Sequence, residues 1–97
     1  MIEFETPQGM RWHLDSQEVR FAAKLGQRLV LCRVSGAAIE VHLAIKGSNE
    51  APLQAARRNF DKLFGLANQA IARGRFEGDA SILLSDTDFE VRTAFDA

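Results

Sequence analysis

The sequence predicts an α+β fold, in which a small antiparallel β-sheet of three to five strands packs against one long and one short α-helix. Residues 19–25 alternate between large apolar and polar or small side chains, which is the period of a half-buried strand. Residues 28–34 follow directly after Gly26-Gln27, a pair that suits a type II′ hairpin because glycine accepts positive φ at its first position. Residues 50–73 carry apolar side chains at helical spacing.

The segments before the hairpin predict two short strands, over residues 2–5 and 10–14, joined by a turn at residues 6–9. The return strand of the hairpin is apolar on both faces. Its first face carries Val30, Cys32 and Val34, and its second carries Leu29 and Leu31. This pattern is typical of a central strand that is covered on both sides.

Two helices are predicted after the hairpin. Ser35 is a suitable N-cap for a short helix over residues 36–45, and Ser48 or Asn49 for the long helix over residues 50–73. Gly74 is placed to end the long helix from its C′ position. The apolar side chains of the long helix share an arc of roughly 120°, and they are Leu53, Ala56, Phe60, Leu63, Phe64, Ala67, Ala70 and Ile71.

The C-terminal segment has one clear strand and one ambiguous region. Residues 81–84 predict a strand. Residues 85–88 have the pattern of a helix capping box, whereas Phe89, Val91 and Thr93 alternate as a strand would. The β-branched residues favour a hairpin arm, and a helix or a loose tail over residues 85–97 remain the alternatives.

Length and composition indicate one small domain over residues 1–97. The chain has 97 residues, of which 46% are hydrophobic and 26% charged, as in an ordinary globular domain. Its formal net charge of −1 gives no overall field that would attract nucleic acid or an anionic membrane. No apolar run approaches the length of a membrane span, and the single Cys32 cannot form an internal disulfide. We therefore expect a cytoplasmic protein without a membrane partner.

The residues that could carry chemistry do not form a recognisable constellation. Cys32 alternates with valines on the inward face of its strand, which favours a core role over a nucleophile. His13 and His42 lack the further ligands of a metal site, and residues 86–90 lack the glycine of a calcium loop. We therefore expect no enzyme activity, no metal and no cofactor.

The charge distribution supplies the candidate binding face. Basic residues predominate over residues 57–75, and acidic residues predominate over residues 77–97. On the wheel of the long helix, Arg58, Lys62 and Arg73 lie on one side. Three interpretations remain: a solvated face or one that meets the acidic C-terminal segment of the same chain, a protein-binding face, and a face that meets the phosphates of nucleic acid.

The order of apolar residues resembles a known family. The positions that carry the resemblance are Ile2, Phe4, Trp12, Val19, Phe21, Ala23, Val30, Cys32, Val34, Ser35, Arg58, Phe60, Ala67, Ile71, Ile82, Leu84, Asp88 and Phe89. This pattern is similar to the domain-of-unknown-function 1488 family of small bacterial proteins. The resemblance covers about residues 2–89 and leaves 90–97 as a short extension. It implies a bent antiparallel sheet against helices, and it implies no activity.

These observations together predict a bacterial module without enzyme activity, which binds a protein partner or forms a homodimer. The apolar second face at Leu29 and Leu31 is the main reason for this expectation. The alternative is a weak nucleic-acid-binding or regulatory protein that uses Arg58, Lys62 and Arg73 of helix 50–73.

Overall fold

The computed structural model describes residues 2–4 and 6–89. The strands are β1 (Ile2–Phe4), β2 (Arg11–His13), β3 (Glu18–Leu25), β4 (Arg28–Ser35) and β5 (Ile82–Leu84), and the helices are α1 (Gly36–His42), α2 (Pro52–Arg58) and α3 (Phe60–Ala72). A 3₁₀ turn over Pro7–Gly9 joins β1 to β2. Residues 86–89 form a helical turn after β5. The α+β fold predicted from the sequence is confirmed.

The sheet is organised around the β3–β4 hairpin. The strands follow the order β1-β3-β4-β5, and β2 also pairs with β3, beyond the end of β1. Leu25 pairs with Arg28 across the two-residue turn, where Gly26 has a φ of +64°, as the Gly-Gln pair predicts. The pairing of β5 with β4 is parallel, so the sheet is mixed rather than wholly antiparallel.

The expected single long helix is instead two helices, so that prediction was wrong. The break falls at Asn59, whose backbone has a φ of −109° and a ψ of 30°. The Asn59 side-chain amide donates to the carbonyl oxygens of Ala55, at 2.8 Å, and Leu43. Asparagine competes with helical hydrogen bonding in this way, and it bends the chain between α2 and α3.

The ends of the helices test the predicted caps. Ser35 caps α1, since its hydroxyl oxygen accepts the backbone N–H of Ala38 at 3.1 Å. α2 begins at Pro52 after Ala51, which offers no side-chain cap, so neither Ser48 nor Asn49 plays the predicted role. Gly74 follows α3 with a φ of +69°, as a C′ glycine does.

The core lies between one face of the sheet and the helices. Every sheet residue predicted to face the core is buried, and these are Val19, Phe21, Ala23, Val30, Cys32, Val34 and Ile82. Leu63 and Ile71 of α3 are buried against them, whereas Phe60 and Phe64 are partly buried at its margin. The helical layer therefore covers one face of the sheet and leaves the other face outside the core.

The structure also corrects two further expectations. Leu29 and Leu31 are exposed rather than covered, because every helix of the described part packs on the opposite face of β4. Phe89 is buried in the helical turn over residues 86–89, so the strand predicted from its alternation was wrong at that position. The remainder of that prediction, at Val91 and Thr93, lies outside the described residues.

Candidate functional site

Arg58, the first residue of the expected basic face, is exposed, but its guanidinium is bonded to groups of its own chain. Its guanidinium donates from Nε and Nη2 to the two carboxylate oxygens of Glu50, each at 2.8 Å, and from Nη2 to the carbonyl oxygen of Leu43 at 3.0 Å. The hydrogen bond from Arg58 holds the pKa of the Glu50 carboxyl below its ordinary value, and the same bond raises the pKa of Arg58. The pair clamps the loop before α2 against the end of that helix.

The other two residues of that face have different surroundings. The Lys62 ammonium lies 5.9 Å from the centre of the Phe89 ring, within the range of a cation–π contact. Arg73 follows α3 as its C-cap. Neighbouring Arg75, rather than Arg73, donates from both terminal nitrogens to the Asp88 carboxylate. Asp88 of the acidic segment thus contacts Arg75, and the neighbouring Phe89 lies near Lys62. Of these two basic residues, only Lys62 belongs to the predicted face.

Asp88 also secures the helical turn after β5. One of its carboxylate oxygens accepts the backbone N–H of Ser85 at 2.8 Å, which is the reciprocal half of a capping box. Burial acts to raise the pKa of Asp88, but hydrogen bonds from Arg75 and Ser85 outweigh it and hold the pKa below its ordinary value. The ionised carboxylate is therefore the form that the folded state favours.

Replacement of Asp88 by asparagine is expected to lower the free energy of unfolding at pH 7 by about 1 kcal/mol, as loss of a cap and a partly exposed ion pair would. Because the pKa is lowered on folding, the contribution of the carboxylate is complete above the ordinary carboxyl pKa near 4 and is lost as the pH falls through the folded-state value. Urea denaturation at pH 7 and at a pH below the folded-state pKa of Asp88 measures the difference. Exposed Asp15 provides the control, as Asp15→Asn. An equal Asp88→Asn deficit at both pH values would contradict this account.

Cys32 and His42, two of the residues considered for chemistry, pack against other parts of the chain. Cys32 is completely buried, and burial raises the pKa of its thiol to about 12. His42 lies 3.0 Å from an oxygen of Asp86 and stacks on the Phe89 ring, with centroids 4.6 Å apart. Within the described residues, no three histidine, cysteine or carboxylate side chains come together as a metal site requires.

The uncovered side of the sheet is the most distinctive surface, and it is called the open face below. The residues that alternate with the core on the five strands form it, among them Glu3, Arg11, Glu18, Arg20, Ala22, Lys24, Leu29, Leu31, Arg33 and Leu83. Its centre is apolar, because Leu31 pairs with Ala22 in the register of β3 and β4. Leu29 is 72% exposed and Leu31 is 40% exposed. The two leucines thus form a small exposed apolar patch on this face.

Arginine residues define one end of this surface, called the basic end. The register places Arg11 beside Arg20 and Arg20 beside Arg33, in one row across β2, β3 and β4. Glu18 lies on the same face, two residues before Arg20 on β3, and is buried. Its carboxylate accepts hydrogen bonds from Arg20 Nε at 2.5 Å and from Arg33 Nη1 at 3.4 Å. Like charges in directly paired positions are unfavourable, so a single carboxylate offsets only part of the repulsion.

The opposite end, called the mixed end, carries charges of both signs. Glu3 pairs with Lys24, and Lys24 pairs with Leu29, in a row across β1, β3 and β4. These residues border a shallow cavity of about 350 Å³, which Ala22 and Phe4 also line. The open face therefore runs from a net positive end, through an apolar centre, to an end whose formal charges cancel.

Sequence reasoning found the two leucines but missed the rest of this surface. Alternation places Leu29 and Leu31 on one face, whereas only the strand register brings Arg11, Arg20 and Arg33 into one row. The sequence signal was present in the alternation of residues 18–25, whose polar positions form the second face. A helical wheel groups the charges of residues 50–73 directly, whereas alternation alone does not show which strands are neighbours.

Helices on one side and an uncovered, partly apolar sheet on the other define a small two-layer α+β domain. No helix in the described ranges is long and apolar enough to cross a membrane. The chain belongs to a family of proteins of unknown function, DUF1488, whose model matches residues 2–84. The resemblance found in the sequence is thus confirmed.

A solved structure supports the same fold. The chain is similar to the crystal structure of a protein of unknown function from the DUF1488 family of Shewanella loihica PV-4, with a TM-score of 0.70 and 16% sequence identity. The similarity covers 86% of this chain and 90% of that one. The comparison with curated proteins found no match. At this identity, the likeness to the solved structure establishes the shared fold alone.

Proposed function

We propose that this domain is a module without enzyme activity that self-associates through the open face of its sheet. The observation that carries the proposal is the exposure of Leu29 and Leu31, which follow each other on the open face of β4, with Leu31 at the centre of that face. Burial of a large apolar side chain is favourable by about 1.5–3 kcal/mol, which gives a second molecule a reason to cover both.

The charges around these leucines favour a second copy of the chain as the occupant. The mixed end presents both Glu3 and Lys24, and the basic end contains the carboxylate of Glu18 among its arginines. A surface with both signs is able to complement itself, whereas a strongly acidic or basic surface would repel its own copy. The formal net charge of −1 adds little long-range repulsion between two chains.

The dimensions of the open face set the expected strength. β3 and β4 each span eight residues, and the β1-β3-β4-β5 path is four strands wide. Standard strand dimensions give an outline of about 27 by 19 Å, or about 500 Å². A standard interface buries about 800 Å² on each partner. We therefore expect weak association with a dissociation constant in the micromolar range.

Nucleic-acid binding through Arg58, Lys62 and Arg73 receives less support. Arg58 donates to both oxygens of Glu50, so contact with a phosphate would have to displace a bonded carboxylate. Lys62 lies near the Phe89 ring. Because the face has lost one of its three charges to an internal partner, we do not propose nucleic acid as the ligand.

Substitution of Leu31 by aspartate is expected to raise the dissociation constant of self-association at least about tenfold, because it places a charge in the apolar contact. Sedimentation velocity at about 10–100 µM measures the dissociation constants of both proteins, because these concentrations bracket a micromolar constant. The control is Val41→Asp, since Val41 is 73% exposed on α1 in the helical layer. Wild-type protein that remains monomeric throughout this range would overturn the proposed function.

A further inference from the structure

The open face has a polarity along its strands that restricts how two copies can meet. Arg20, Ala22 and Lys24 follow one another along β3 at two-residue intervals, from the basic end to the mixed end. Arg33, Leu31 and Leu29 do the same along β4, in the opposite chain direction. Ala22 and Leu31, which pair with each other, therefore mark the midpoint between the two ends.

Homodimers with closed symmetry leave two ways of placing these faces together, since packed sheets keep their strands within about 30° of each other. If the two-fold axis runs parallel to the strands, the basic end of each copy covers the basic end of the other. Two rows of Arg11, Arg20 and Arg33 would then meet with only two Glu18 carboxylates between them. Juxtaposed like charges of this kind oppose association.

We propose that two copies pair end over end, with the two-fold axis across the strands at Ala22 and Leu31. This inference rests on the proposed self-association and names its geometry. The basic end of each copy then covers the mixed end of the other. Leu31 meets Leu31 of the second copy at the axis, and Leu29 lies against the aliphatic stem of the second copy's Arg33.

The edge of the sheet supplies matching charges for this arrangement. β1 and β2 both pair with β3 on the same side, β1 at the mixed end and β2 at the basic end. A rotation about an axis across the strands keeps each strand position and exchanges the two ends. Glu3 of each copy therefore comes opposite Arg11 of the other copy, and this pair occurs twice.

The charged residues of β3 are compatible with the same rotation. Lys24 of one copy comes opposite Arg20 of the other, which by itself would be repulsive. The Glu18 carboxylate lies 2.5 Å from Arg20 Nε and offsets that charge. Each end of the interface thus combines Arg11, Arg20, Arg33 and Glu18 of one copy with Glu3 and Lys24 of the other. The excess at each end is two positive charges, whereas the parallel axis concentrates four at one end.

Chemical cross-linking distinguishes the two axes. In the end-over-end arrangement a cysteine at position 31 faces its own copy, whereas cysteines at position 29 are offset by four residues along the strand, about 13 Å. With the axis parallel to the strands along β4, both positions face their own copies. A short bismaleimide that cannot span this offset is applied to Leu31→Cys and Leu29→Cys at equal concentrations. Native Cys32 is completely buried and serves as the background in both variants.

We expect a cross-linked dimer from Leu31→Cys and at least about tenfold less from Leu29→Cys, because an offset of four residues exceeds the reach of the reagent. Equal cross-linking of both variants would overturn the end-over-end geometry and leave self-association intact. If sedimentation detects a dimer of Leu31→Cys but the reagent does not cross-link that variant, the geometry is also overturned. A wild-type monomer would overturn the proposed function itself.

A charge exchange gives a second measurement that does not depend on cysteine. Glu3→Arg is expected to weaken self-association about fivefold, since two modest ion pairs become repulsive by symmetry. Combination with Arg11→Glu should restore the wild-type dissociation constant. Failure of the double variant to recover, with each single variant folded by circular dichroism, would contradict the pairing of these two residues.

Discussion

Replacement of Phe21 by alanine is expected to lower the free energy of unfolding by about 3–5 kcal/mol, the range for loss of a buried phenylalanine. Phe21 is 2% exposed at the centre of β3. Its ring lies 5.5 Å from the Phe64 ring of α3 and 6.2 Å from the Phe4 ring of β1, measured between centroids. The substitution therefore opens a cavity where the sheet meets the helical layer, and also removes two aromatic contacts.

Urea denaturation followed by circular dichroism measures this loss, and Phe60→Ala serves as the matched control. Phe60 contacts the Phe64 ring edge-on at 5.6 Å but is only partly buried. Because less apolar area leaves water at Phe60, its replacement should cost clearly less than that of Phe21. Equal losses for the two variants would contradict the observed position of the core.

Substitution of Gly36 by alanine is expected to destabilise the fold by about 1–3 kcal/mol, the usual cost of forcing extra volume into a packed site. A Cβ atom at this position would lie 2.7 Å from Cη2 of the Trp12 ring and 3.3 Å from the carbonyl oxygen of Gln17. The backbone N–H of Gly36 donates to that same carbonyl at 2.9 Å, so the chain cannot move away without loss of a hydrogen bond. Thermal denaturation provides the measurement.

Gly65 in the middle of α3 provides the opposite expectation for the same chemical change. A Cβ atom at Gly65 would meet no neighbouring atom within 4 Å. Alanine should therefore stabilise the helix there by up to about 1 kcal/mol, through its better helix propensity. If Gly36→Ala were as stable as the wild type or more stable, as Gly65→Ala is expected to be, the close packing of Trp12 on Gly36 would be refuted.

Local signals in the sequence predicted the elements whose geometry depends on neighbouring residues. Gly26 gives the tight turn its positive φ, and alternation on both sides of that turn sets the inward face of β3 and β4. Ser35 begins α1 through its own hydroxyl, and Gly74 ends α3. In each case the deciding contact lies within four residues in the chain, so the sequence pattern contains it.

Longer-range contacts decided the features that the sequence predicted incorrectly. The apolar periodicity of the sequence continues without interruption through Asn59. The break there depends on the Asn59 side chain, which donates to the carbonyl oxygens of Leu43, sixteen residues away, and of nearby Ala55. β5 joins β4 in a parallel direction because the chain returns through α2 and α3 before it reaches the sheet. Periodicity describes which face of an element is apolar, but it does not describe what lies against that face.

The candidate site illustrates the same division. A helical wheel groups Arg58 with Lys62 and Arg73, yet Glu50 of the preceding loop folds back onto Arg58 and neutralises it. The arginine row of the open face comes from β2, β3 and β4, and its members are neighbours only through the strand register. Residues on one helix are visible to sequence reasoning as a group, whereas residues on paired strands become a group only when the register is known.

The sequence by itself determined the family, the α+β class, the hairpin and the inward face of its strands, because these follow from residue type and short-range periodicity. The tertiary structure decided that the helices cover one face of the sheet and leave Leu29 and Leu31 exposed on the other. Alternation makes both faces of β4 apolar, and only the packing of the helical layer selects which of them leaves water. The surface that we propose for self-association is the open face, which the helical layer does not cover.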